Sequence, residues 1–149
     1  MKKVFLVTLA AFMLSAIPAS AQVEPGVAVA YGFGAKGTLG IEGRLQIGFS
    51  AIDNLRIVPA FTYFFTDFSL FAVDINLHYH LMNTENGGRI WALGGVNLLN
   101  TAEGEGATDF GGNLGAGFSG DTGLLNPFAE VKYVFGNASQ LMVTAGLFF

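Results

Sequence analysis

Hydrophobic and polar residues alternate with a period of two along most of the chain from Gly26 onwards. Successive side chains of a β-strand point to opposite faces, so this period predicts strands with one apolar and one polar face. Turn-forming residues divide the pattern into stretches of about ten residues. The predicted strands are Gly26–Gly34, Thr38–Phe49, Leu55–Phe65, Phe68–Leu81, Arg89–Leu99, Thr108–Ser119, Pro127–Phe135 and Ser139–Phe149.

The number and rhythm of these strands predict a closed all-β fold. An even count with short connections fits an eight-stranded antiparallel up-and-down barrel that has both chain termini on one side. Glycines take the parity opposite the large apolar residues, where they relieve crowding in a narrow interior. They are Gly40, Gly48, Gly111, Gly115 and Gly117. Helix is disfavoured here, because each Gly would cost about 1 kcal/mol relative to Ala.

The two faces separate clearly in some strands and not in others. In the second strand, Leu39 and Ile41 oppose Glu42 and Arg44. The strand Arg89–Leu99 carries apolar residues on both parities, so the sequence leaves its orientation open. Trp91 near its start is predicted to be an aromatic anchor at a membrane–water interface.

The first residues predict export. Met1-Lys2-Lys3 is a short basic region, Val4–Ile17 is mostly apolar, and Ala19-Ser20-Ala21 provides small residues for cleavage. The apolar stretch is too short for a stable membrane helix. We therefore predict a signal peptide at residues 1–21 and one mature domain at residues 22–149.

Composition indicates where the apolar faces point. The chain is 52% hydrophobic and only 12% charged, whereas soluble surfaces are about 25–35% charged. Because no mature segment has the ~20 apolar residues of a spanning helix, we predict a transmembrane β-barrel in a Gram-negative outer membrane. The formal net charge of −4 disfavours nucleic acid, which needs Lys and Arg clusters. The chain has no cysteine, so it has no disulfide framework.

The polar parity collects side chains that we predict to form a network in the lumen. Unpaired charges are unfavourable in a narrow interior of low dielectric constant, so acidic and basic members are expected to pair. Such pairs would plug the lumen, and the alternative is a narrow, porin-like pore in which re-pairing opens a path for water. The predicted network consists of Glu42, Arg44, Gln46, Arg56, Asp74, Asn76, His78, His80, Glu130 and Lys132.

His78 and His80 raise further alternatives. They share a strand face with Asp74 and Asn76, an arrangement that can bind a metal or support acid–base catalysis. However, a structural zinc site takes four ligands, the chain has only these two histidines, and neither has a serine in a nucleophile motif beside it. We therefore predict no metal, no cofactor and no enzymatic activity. An outer-membrane lipid-modifying enzyme is a minor alternative.

The last residues form an apolar strand that ends with Leu147 and Phe149 on one face. A free apolar strand favours aggregation unless it closes a barrel, so we predict that it pairs with Gly26–Gly34. Phe149, with the apolar Leu147 two residues before it, resembles the C-terminal signal of bacterial outer-membrane barrels. This resemblance implies recognition of both residues by the barrel-assembly machinery.

Three segments carry a wider resemblance: Leu55–Phe65, Asp74–Leu81 and Pro127-Phe128-Ala129-Glu130-Val131-Lys132-Tyr133. They are similar to small eight-stranded outer-membrane barrels, namely the OmpA/OmpX-type and opacity-like group and the outer membrane protein beta-barrel families of Bacteroidota. The resemblance implies contact with outer-membrane lipid and lipopolysaccharide and a role in membrane integrity or surface interaction. The short predicted outer loops depart from adhesive members. We expect a monomer.

A soluble lipocalin-like barrel that binds an apolar ligand is the main alternative. It requires the apolar parity to face inwards and charged residues such as Glu42 and Lys132 to face water. The aromatic residues Phe61, Tyr63 and Phe65 belong to an apolar set too large for an eight-stranded interior. Recovery from the soluble periplasmic fraction without detergent would support this alternative.

Overall fold

The computed structural model describes residues 21–34, 37–67, 70–101, 107–136 and 139–149. The predicted signal peptide lies outside these residues except for Ala21, so it stays a prediction. Consecutive β-strands make up most of the described chain. They are β1 (Gln22–Phe33), β2 (Thr38–Phe49), β3 (Ile52–Phe64), β4 (Leu70–Asn83), β5 (Arg89–Thr101), β6 (Ala107–Ser119), β7 (Asn126–Phe135) and β8 (Gln140–Phe148).

Each strand pairs antiparallel with its neighbours in sequence, and β8 returns to pair with β1. The closing register runs from Gly26 opposite Phe148 to Phe33 opposite Leu141. Closure removes the free sheet edge, so backbone groups find partners without water. The predicted eight-stranded up-and-down barrel is confirmed, including the pairing of its first and last strands. Among the described residues, no helix is long and apolar enough to cross a membrane.

Several strand ends differ from the prediction by a few residues. β1 begins at Gln22, because Pro25 is compatible with extended backbone and continues the register opposite Leu45. β8 ends at Phe148, so placing Phe149 inside the strand was wrong by one position. The Phe149 N–H still donates to the carbonyl of Pro25 at 3.0 Å. The predicted strand start at Phe68 lies outside the described residues.

The barrel wall has two faces of opposite polarity, which we call the outer wall and the inner wall. Outward side chains are apolar and exposed, as with Ile41 at 53%, Ile75 at 49% and Phe110 at 67%. Inward side chains include the buried Glu42 and Asp74. A soluble lipocalin-like barrel needs the opposite arrangement, so that alternative is wrong.

The barrel also has two ends. The terminal end holds Gln22 and Phe148, together with the connections β2–β3, β4–β5 and β6–β7. The loop end holds the other four connections. In the β4–β5 turn at the terminal end, Gly87 has φ +77°, a conformation that favours glycine. The Gly87 N–H donates to the carbonyl of Thr84 at 3.0 Å, which fixes a tight reversal of the chain.

Aromatic residues gather on the outer wall near the loop end. Three strands carry a Tyr two residues before a Phe, and the rings of each pair meet edge to face with centres 4.7–5.8 Å apart. The pairs are Tyr31–Phe33, Tyr63–Phe65 and Tyr133–Phe135. Such rings are typical of the boundary between hydrocarbon and headgroups.

Candidate functional site: the barrel lumen

The inner wall encloses a lumen filled by layers of side chains. The loop end is occupied by an apolar plug, defined as Ala30, Phe64, Ala72, Val134 and Met142. Below the plug lies a polar belt, which consists of Glu42, Arg44, Thr62, Asp74, Asn76, Asn97, Asn113, Glu130 and Lys132. A second apolar cluster follows toward the terminal end and contains Ala28, Trp91, Leu93, Phe128 and Phe148.

Arg44 lies at the centre of the polar belt between two carboxylates. Its Nη1 and Nη2 donate to Glu130 Oε2 and Oε1 at 3.0 and 3.3 Å, and its Nε donates to Glu42 Oε1 at 2.5 Å. Glu42 also accepts a hydrogen bond from Thr62 Oγ1 at 3.1 Å. The guanidinium carbon is 4.5 Å from the centre of the Phe128 ring. Because the planar fork of Arg engages several groups at once, this cluster ties β2, β3 and β7 together across the lumen.

Lys132 organises the other half of the polar belt. Its Nζ donates to Asp74 Oδ2 at 3.1 Å. Asp74 Oδ1 accepts from Asn97 Nδ2 at 2.8 Å and from Asn113 Nδ2 at 2.6 Å. Asn113 Nδ2 also lies 2.9 Å from Asn76 Oδ1. This buried pair of opposite charges is therefore surrounded by amide donors, as low-dielectric interiors require.

His78 lies between the polar belt and the terminal apolar cluster. Its ring stacks on Trp91 with centres 5.3 Å apart and planes 12° apart. His78 Nε2 lies 3.4 Å from Glu130 Oε2, close enough for an ion pair but without the orientation of a hydrogen bond. Trp91 is only 4% exposed, so the prediction that it anchors the barrel at the membrane interface was wrong. The Trp91 ring on β5 points into the lumen, where it stacks on His78.

Glu24 joins two arginines and a glutamine at the terminal end of the lumen, which we call the terminal mouth. Its Oε2 accepts from Gln46 Nε2 at 2.7 Å and from Arg56 Nη1 at 3.2 Å. Its Oε1 lies 3.6 Å from Arg89 Nη2. One carboxylate is therefore shared by two guanidinium groups. Glu24 and the two arginine side chains are half-buried, with 19–34% of each exposed, whereas Gln46 is buried.

The space left between these layers is small. A cavity of about 10 Å³ lies beside the apolar plug, bordered by Phe64 and Met142. Another of about 20 Å³ lies in the terminal mouth, bordered by Arg56 and Arg89. A single water needs about 10–15 Å³ of such space. Each cavity therefore has room for about one water-sized particle, and the polar belt lies between them.

The structure places all ten residues of the predicted network on the inner wall. Nine of them lie in or beside the polar belt or contact Glu24, whereas His80 borders the cavity of the terminal mouth. Gln46 and Arg56 belong to the mouth rather than to the belt. Leu147 and Phe149, the predicted assembly residues, lie on the outer side and are 37% and 54% exposed. Among the residues described, no three His, Asp, Glu or Cys side chains are grouped to hold a metal ion.

The predicted network lacked five polar residues that contribute to these clusters, one of which is Thr62, the donor to Glu42. Glu24 lay before the predicted start of the first strand, and Arg89 stood at a strand end. Asn97 lies on the strand whose faces did not separate. Asn113 could have been found, because it shares the parity of Gly111 and Gly115, which were assigned to the interior.

Solved structures with a similar fold include small barrels of bacterial outer membranes. The N-terminal β-barrel domain of Pseudomonas aeruginosa OprF matches with a TM-score of 0.69 at 16% identity, covering 87% of this chain and 96% of that one. Ail, the attachment invasion locus protein of Yersinia pestis, matches at 0.57 and 13%, covering 87% and 97%. Neisserial surface protein A matches at 0.53 and 19%, covering 86% and 94%. The chain has the fold of a small outer-membrane β-barrel.

This likeness concerns the fold and agrees with the polarity of the two walls. No protein-family model matches the sequence, and no curated protein sequence matches it. An apolar outer wall on a closed barrel is what a lipid bilayer requires of a spanning β-structure. The fold and the outer wall are together consistent with location in the bacterial outer membrane.

Proposed function

We propose that this protein is a monomeric, non-catalytic outer-membrane barrel with a closed lumen, and that it acts in membrane integrity or surface interaction. The observation that carries the proposal is the polar belt, in which Arg44 and Lys132 each meet buried carboxylates. A pore needs a continuous water path, and these pairs occupy the middle of the lumen. The apolar plug adds a layer that water does not wet.

A role in integrity is favoured over recognition by long loops. The loop end has short connections between β1 and β2 and between β7 and β8, which leave little surface for a ligand. The outer wall instead offers lipid a broad apolar surface, with a ring of Tyr and Phe pairs near the loop end. We propose that outer-membrane lipid and lipopolysaccharide are its main partners, and that the barrel-assembly machinery recognises Leu147 and Phe149.

Conductance across a planar lipid bilayer tests the closed lumen. We expect no large, steady single-channel currents from the purified protein. The matched variant combines Arg44→Ala with Glu130→Ala, which removes the largest cluster of the belt and widens the lumen. This variant should pass more current than the unmodified protein. Large, steady currents from the unmodified protein would contradict the closed lumen and favour a narrow pore.

The lipid-modifying alternative has its own test. A variant with His78→Ala and His80→Ala removes both histidines of the chain. If the protein has no catalytic role, outer membranes that contain this variant should have the same lipid composition as membranes that contain the unmodified protein. A change in acyl-chain content at equal barrel abundance would instead support an enzyme.

A further inference from the structure

The terminal mouth contains more positive charge than its one carboxylate balances. Arg56 and Arg89 both face Glu24, at 3.2 and 3.6 Å. Gln46 donates a third contact to the same carboxylate at 2.7 Å. Arginine side chains are positively charged at neutral pH, and the single carboxylate of Glu24 can neutralise one of the two. The mouth is therefore left with an excess of about one positive charge.

Buried donors beside these arginines have no acceptor. Trp91 lines the same cavity and is 4% exposed, and its Nε1 is buried without a hydrogen-bond partner among the described residues. The Nε2 atom of His80, which also lines the cavity, is buried and lacks a partner as well. An indole N–H only donates, and a neutral imidazole nitrogen can donate. A buried donor without an acceptor costs free energy, so the indole N–H of Trp91 calls for an acceptor in the cavity.

We propose that the terminal mouth binds one small inorganic anion, of the size of chloride, between Arg56, Arg89 and the indole N–H of Trp91. The cavity of about 20 Å³ has room for a single water-sized particle, which is smaller than a whole phosphate headgroup. The arginines supply the charge that selects an anion over water. A cation is excluded by the same two guanidinium groups.

The acids of the polar belt do not cancel this excess, and Asp53, which borders a separate pocket with Arg56, is exposed to solvent. Glu130 approaches His78, which also lines the cavity, but its carboxylate is held by Arg44 at 3.0 Å. Asp74 lies farther into the lumen and is held by Lys132 at 3.1 Å. Because the acids of the belt are already paired, the anion would complete the charge balance of the mouth itself.

Trp91 is the single tryptophan of the chain, so its fluorescence reports on this cavity alone. The experiment adds iodide, a quenching analogue of chloride, to the folded protein in uncharged detergent at fixed pH and ionic strength. We expect quenching to saturate and to be reversed by chloride but not by gluconate, which is too large for the cavity. Quenching of Trp91 by acrylamide, a neutral quencher, should not change when chloride is added.

Two variants at the mouth should move the apparent iodide affinity in opposite directions. Arg89→Gln removes one charged donor and should weaken it by about tenfold, as expected for a hydrogen bond to a charged group. Glu24→Gln removes the competing carboxylate and should strengthen it. Lys36→Gln is the matched control: it removes one positive charge from the chain between β1 and β2 and should leave the affinity unchanged.

Each variant is first checked for folding by its altered migration when unboiled on a detergent gel. Arg89→Gln and Glu24→Gln are independent, so a folding failure of one leaves the other as a test. Linear quenching that chloride does not reverse would mean that the cavity holds water and would overturn the proposal. Equal affinities in the unmodified protein and both folded mouth variants would overturn it too.

Discussion

The inner and outer walls are made by the same strands, yet they are stabilised by different physics. On β2, Glu42 and Arg44 are buried in a network of charged hydrogen bonds, whereas the intervening Gly43 faces outwards. Inner-wall side chains need particular partners at particular distances. Outer-wall side chains need only an apolar solvent, because lipid accommodates many apolar shapes. The inner wall should therefore be sensitive to pairing and volume, and the outer wall mainly to charge.

The largest expected effect comes from breaking the inner-wall pairing at Arg44. Arg44→Met should lower the free energy of unfolding by about 3–5 kcal/mol, because it leaves two carboxylates buried without their partner. Urea unfolding in phospholipid vesicles, followed by Trp91 fluorescence, measures the change. The control adds Glu42→Gln and Glu130→Gln to the same variant, which removes the unpaired charges and should recover much of the loss. An unchanged unfolding curve for Arg44→Met would contradict the pairing.

A charge on the outer wall is the next test. Ile75 lies near the middle of β4, opposite Pro59 and Val96, and is 49% exposed. Ile75→Lys should destabilise the barrel in vesicles by about 2–4 kcal/mol, as for cations near the bilayer midplane. Ile75→Val, which keeps the position apolar, should change little. If the unfolding free energy is the same with Lys at this position, the outer wall does not face lipid.

The two walls can be compared directly by adding one methyl group to each and measuring the free energy of unfolding. In Gly115→Ala, on the inner wall, the new Cβ would lie 2.7 Å from Lys132 Cα and 2.9 Å from Lys132 Cβ. We expect a loss of about 1–3 kcal/mol from overpacking. In Gly43→Ala, on the outer wall, no atom lies within 4 Å of the new Cβ, so stability should stay within about 0.5 kcal/mol. Equal effects in the same urea titration would remove the distinction between the walls.

The smallest effect on stability is expected at the end of the chain. Deleting Phe149 removes one exposed side chain and the hydrogen bond to Pro25, so barrels already assembled should be little changed. The yield of inserted protein in the outer membrane should fall much more, because the resemblance assigns Phe149 to assembly. Phe149→Tyr keeps an aromatic ring and should insert normally. Equal yields with and without Phe149 would argue against an assembly role.

The faces of most strands could be predicted because polar and apolar residues fall on opposite parities. In β2, β4 and β7, charged side chains mark the inner wall, and a shift of one residue would expose them to lipid. β5 could not be assigned in this way. Trp91 and Leu93 fill the lumen while Val96 and Leu98 face outwards, so both of its faces are apolar. The stacking of Trp91 on His78 and the hydrogen bond from Asn97 to Asp74, both on β4, show which parity is inside.

The partners within the lumen were also beyond sequence reasoning. The sequence predicted that charges would pair, but not that Arg44 would pair with Glu130, which lies 86 positions away. Glu24 on β1 is a further example: it contacts Gln46 on the adjacent β2, Arg56 on β3 and Arg89 on β5. Such contacts depend on the stagger between strands, which is set when the barrel closes.

The sequence by itself determined the strands, their antiparallel order and the polarity of most of the wall, because these follow from a local period of two. The tertiary structure alone decided which side chains meet inside and how completely they fill the lumen. Those contacts join residues far apart in the chain, and closure of the barrel brings them within hydrogen-bonding distance. The closed polar belt and the sharing of Glu24 by two arginines in the terminal mouth both arise at that step.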